Sequence, residues 1–164
     1  MSFKFIARLE AAMAAVTTEQ LATPPFDETI GEGETIIGEA LPEPLIRLWH
    51  VMGDYAERAS KLGTEHKAAH KEEGDHGCEE FRRQMEVLMN EGRLLKSLFW
   101  QEIRDEFPAT NTVDAIALRT SADGKPVLVS VKQQPELFNF GGITIFEMGD
   151  AEGPSLRDIF AGRL

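Results

Sequence analysis

The chain has 164 residues, with 28 acidic against 17 basic side chains, a net charge of -11 and a single cysteine. That length holds one domain with a proper core but not two comfortable ones, and the ordinary apolar content predicts a folded soluble protein. The acidity, unrelieved by any basic stripe, excludes nucleic acid and anionic membrane surfaces as partners by charge repulsion, and a lone thiol, unable to form an internal disulfide, fits a reducing cytoplasm.

Near the start, Phe5, Ile6, Leu9, Met13 and Val16 recur at helical spacing with alanines between them. This predicts a short amphipathic helix over residues 3–16, stopped by Thr17, Thr18 and then Pro24-Pro25. Lys4 and Arg8 ahead of the alanines mimic a signal peptide, but Arg8 and Glu10 break its apolar centre. Residues 23–43 are rich in Pro, Gly and acids, and only Thr35-Ile36-Ile37 suggests a strand. Asp27, Glu28, Glu32, Glu34 and Glu39 lack the spacing of a calcium loop and read as a solvated acidic connector.

Pro42 and Pro44 suit the first turn of a second, long helix. Leu45, Trp49, Met52, Ala56, Ala59 and Leu62 line one of its faces, and His66 and His70 extend that face if the helix passes Gly63. Gly74 is the stop and Asp75 the N-cap of a third helix ending before Pro108. On that helix Cys78, Phe81, Met85, Leu88, Gly92, Leu95, Phe99 and Ile103 form one stripe in steps of three and four. The short turn predicts an antiparallel αα-hairpin of residues 44–72 and 76–106. Its register places Phe81 near Ala68 or Ala69, Leu88 near Leu62, and Phe99 against residues 48–52. Gly92 falls beside Ala56 or Ala59, where small residues would permit close approach. Trp49, Phe99 and Trp100 read as hairpin core.

Beyond Pro108 the character turns to β. Thr112–Thr120 and Pro126–Val131 are β-branched and apolar, with Asp123-Gly124 a hairpin signal between them. A second strand pair is expected around Gly141-Gly142, and a short helix at 155–160. The whole reads as a single α+β domain over 1–164: a short N-terminal helix and acidic connector (1–43), a long antiparallel αα-hairpin (44–107), and a small antiparallel C-terminal β-sheet (108–164).

Chemistry concentrates in one place. Three of the four histidines and the only cysteine lie between residues 66 and 78. His66 and His70, four apart, can aim two imidazoles at one ion, with His76 or Cys78 as a third ligand across the turn. Histidine with cysteine suits Zn, while histidine with carboxylate suits Fe, Mn or Ni. The competing reading is a plain solvated tip with Cys78 as a small buried hydrophobe. A Cys78 nucleophile lacks any marked oxyanion hole, and no glycine loop has the lysine or helix start of a phosphate site. A second apolar line, Val87, Leu94 and Leu98, calls for cover by the chain's own sheet or by a twin helix, so a homodimer is expected. The leading expectation is a small cytoplasmic protein that acts by binding or assembly, without catalysis, and the alternative is a metal-binding protein or metal-dependent enzyme using His66, His70, His76 and Cys78.

Overall fold

The computed structural model describes residues 2–73 and 78–132. Helix α1 (Phe3–Ala14) begins at Ser2, whose hydroxyl accepts the Phe5 N–H at 3.2 Å. It buries Phe5, Leu9 and Met13, one per turn. It stops at Ala14, short of the expected Val16, because Thr17 starts a new helix instead. Helix α2 (Thr18–Ala22) carries a reciprocal capping box in which Thr17 and Gln20 satisfy each other's N–H groups.

Strand β1 (Thr35–Gly38) lies where the connector was expected to hold one. Helix α3 (Glu43–Glu73) then runs unbroken through Gly53 and Gly63, and α4 (Cys78–Glu106) returns beside it. The hairpin register agrees with the sequence at three levels. Trp49 and Phe99 rings lie 5.5 Å apart, Leu62 and Leu88 line one groove, and Phe81 packs at His66, slightly short of Ala68. The expected close approach at Gly92 is absent: a Cβ added there would meet nothing within 4 Å. The small residue leaves open space beside it.

Pro108 ends α4, and a 3-10 turn (Pro108–Thr112) leads to β2 (Ile116–Thr120) and β3 (Pro126–Ser130). These two form the expected hairpin, with Gly124 at φ 80° in the turn. The described sheet is antiparallel, in the order β1-β3-β2, so its third strand comes from the connector ahead of the helices. The strand pair around Gly141-Gly142 and the helix at 155–160 lie outside the described residues.

One core joins these layers. Leu45, Leu48 and Val51 of α3 and Leu95, Leu98, Phe99, Trp100 and Ile103 of α4 are buried with Phe5, Leu9 and Met13 of α1 and with Ile116, Leu118 and Leu128 of the sheet. Each buried side chain of that size contributes about 1.5–3 kcal/mol relative to exposure. The sheet's other face carries a smaller cluster of Ala117, Val127 and Val129, with Ile30 and Val131 against it. Arg47 on α3 donates to the carbonyls of Met13 and Val16 at 2.9 and 3.0 Å, closing the frayed end of α1. Trp49 links the hairpin to the connector through Pro25 O at 3.1 Å and an edge contact with Phe26.

The connector is not uniformly solvated. Asp27, Glu32 and Glu39 are exposed, but Glu34 folds inward onto Arg119 of β2 with bonds of 2.9 and 3.1 Å. Arg119, itself nearly buried, also reaches Glu28 at 2.9 Å. A buried guanidinium needs carboxylate partners, and the connector supplies two.

Candidate functional site

The distal half of the hairpin is a ply of two helices with no third layer among the described residues. Between Met52 and Glu72 no side chain of α3 is buried, and on α4 ahead of Leu95 only Leu88 is. Good helix formers carry α3 through this stretch, among them Ala56, Ala59, Ala68 and Ala69. The exposed pairs Lys61–Glu65 and Arg83–Glu80 add local support, worth little individually in water. The Glu80 carboxyl is drawn down to about 2 by hydrogen bonds from Arg83 and then Gln84.

At the start of α4 the sequence-predicted donors are partly brought together. Cys78 Sγ lies 3.7 Å from His66 Nε2. The His66 imidazole stacks flat on the Phe81 ring, with centroids 4.0 Å apart and planes 8° from parallel, which fixes its orientation. His70 is exposed, its ring 5.5 Å from that of His66 and tilted by 48°. His76 lies outside the described residues. Among the described residues, no three His, Cys, Asp or Glu side chains converge to hold a metal ion.

The two helices also frame an open groove of about 420 Å³. Its lining is mixed: Arg58, Lys61, Glu65, Arg83 and Gln84 are polar, with Lys61 paired to Glu65 and Arg83 to Glu80, and Leu62, Val87 and Leu88 are apolar. Sequence reading placed Leu88 near Leu62 but did not name the groove they share. Of the second apolar line, Leu98 is fully buried by the chain itself and Leu94 packs against the main core, leaving only Val87 exposed, at 47%. On α4 Met89 is also open, at 45%.

Nearer the body, Tyr55 Oη donates to Glu91 at 2.5 Å, and Glu91 pairs with Arg8 of α1. Burial first, then the Glu91 hydrogen bond and charge, push the Tyr55 phenol above its ordinary 10. For Glu34 burial is the largest single influence and acts upward. The Arg119 hydrogen bonds, the Gly31 N–H and the Arg119 charge together outweigh it, and the carboxyl sits below its ordinary 4.5. The fourth histidine, His50, has its Nε2 buried without a hydrogen-bond partner among the described residues.

No helix among the described residues is long and apolar enough to cross a membrane. Compared with protein-family models, with curated proteins and with solved structures, the chain has no match in any of the three.

Proposed function

We propose that the protein works by binding, as an assembly protein that pairs with a second copy of itself through the distal half of the hairpin. The observation that carries this reading is the half-buried inward stripe there, with Val87 and Met89 left open beside it. A two-helix ply buries one stripe from one side only, and two such plies stacked on each other make a four-helix bundle that covers both.

Charge and size support a second copy as the occupant. From Glu57 to Arg93 the chain has seven Lys or Arg against nine Asp or Glu, a net of -2, which leaves -9 of the total -11 elsewhere. Two distal halves therefore meet without the repulsion that two acidic bodies would impose. The ply of residues 52–73 and its α4 partner is roughly 33 Å long and about 20 Å wide, a footprint on the order of 600 Å². That approaches the roughly 800 Å² of accessible surface per partner in a standard interface.

Sedimentation of the parent chain at micromolar concentration is expected to show a dimer. Val87→Asp and Met89→Asp, both at exposed positions that leave the fold intact, identify the face used: one of them is expected to give a monomer with unchanged circular dichroism. A monomeric parent, or a dimer untouched by either substitution, overturns the reading.

A further inference from the structure

Resting on that pairing, we propose that His66 and Cys78 are half of a tetrahedral zinc site, which the same two residues of a second copy complete.

The first argument is the spacing of the donors. Zinc binds thiolate sulfur at about 2.3 Å and imidazole nitrogen at about 2.0–2.1 Å, so the S···N edge of a regular tetrahedron is about 3.6 Å. Cys78 Sγ and His66 Nε2 stand 3.7 Å apart, a separation that one ion can bridge with both side chains in place. The Phe81 ring lying flat on the imidazole holds it in that pose.

The second argument is the count of donors. A structural zinc ion takes four protein ligands, and two nitrogens with two sulfurs is one of its preferred sets. Among the described residues no third donor joins the pair. Doubling the pair about a two-fold axis supplies the set with no residue added.

The third argument is the face. Cys78 and Met89 are eleven residues apart on α4, three turns, so they lie on one line of the helix. Val87 is nine residues from Cys78, which puts it on the opposite side. The open apolar residue that shares the donors' face is therefore Met89, and pairing through that face with the two-fold axis running along the hairpin sets the two tips, and so the two half-sites, side by side. Each thiol gives up its proton to solvent as it binds the ion.

The test is sedimentation with zinc titration on the full chain, for the parent, His66→Ala and Cys78→Ser, with cobalt(II) as a spectroscopic stand-in. The expected result is uptake of one zinc per two chains, a dimer strengthened by zinc and weakened by chelation, and a thiolate-to-cobalt charge-transfer band. Either substitution is expected to lower zinc affinity by more than the roughly 10–100-fold that losing an outer-shell partner costs. A zinc-independent dimer with no uptake overturns the site and leaves the pairing standing. A monomer with or without zinc overturns both. One zinc per chain without association overturns the shared site. Because His66 is half-buried, matching circular dichroism of His66→Ala and the parent without metal separates ligand loss from misfolding.

Discussion

Helices α3 and α4 run the length of the hairpin with one continuous inward stripe, yet its two ends have different fates. At the proximal end Leu45, Leu48, Leu98, Phe99 and Ile103 are sealed by α1 on one side and the sheet on another. At the distal end the equivalent positions Leu62, His66, Phe81 and Met85 are half-buried. The stripe is the same in kind, so periodicity alone does not decide burial: the number of layers laid over it does. The proximal half is a finished core, whereas the distal half is a surface still offering apolar area, and the proposed pairing belongs there.

The contrast is most easily broken by truncating one aromatic at each end. Phe99 is fully buried in the core, in contact with Trp49 and Trp100. Phe99→Ala is expected to cost about 3–5 kcal/mol, from lost transfer energy and the cavity left behind. Phe81, half-buried and stacked on His66, is expected to lose much less in Phe81→Ala, about 1–2 kcal/mol. Denaturant unfolding of the two variants measures the difference. Equal losses would mean that the distal half is as well covered as the proximal one.

What the sequence made legible follows from the range of each interaction. The hairpin and its register were readable because two stripes with period 3.6 must meet across a short turn, which leaves little freedom. The Cys78–His66 approach followed from the same fold-back. The Thr17–Gln20 capping box was local and readable too, but the threonines looked like a stop. By contrast, the pairing of β1 with β3 joins Thr35 to Ser130, and no local pattern in a four-residue strand names its partner. Arg119 and Glu34 are 85 positions apart, so an acid that looked solvated on its own stretch of chain proved to be half of a mostly buried ion pair. Gly92 misled for another reason: smallness permits close approach without compelling it.

That ion pair sharpens the comparison from the proximal side, where charge as well as apolar area is taken out of water. Glu34→Gln removes the charge that two Arg119 nitrogens bind, and is expected to cost about 1.5–3 kcal/mol at neutral pH, part of it offset by Glu28. The pH dependence has a definite sign. The folded carboxyl sits below its ordinary 4.5, so the fold prefers the ionised form. Its contribution is complete above about 4.5 and is lost as pH falls through the folded-state value. The stability gap between parent and Glu34→Gln is therefore expected to shrink as pH drops below 4.5. A gap that stays constant down to pH 3 would show that Arg119 does not draw its support from the ionised carboxylate.

The smallest effect separates the two ends by sign. Gly38, on β1 near the body, has no room: a Cβ built there would stand 2.6 Å from the Phe107 ring, so Gly38→Ala forces that ring to move and is expected to destabilise by about 1 kcal/mol or more. Gly92, on the distal half of α4, meets nothing within 4 Å, and its backbone is already helical. Gly92→Ala therefore adds no clash and removes only the excess freedom that glycine has in the unfolded chain, so a gain of about 0.5–1 kcal/mol is expected. Measured on the dilute, dissociated chain, that gain reports the two-helix ply alone. If Gly92→Ala destabilises under those conditions, the distal helices pack more closely than their open space implies, and the two ends of the hairpin are more alike than their burial makes them.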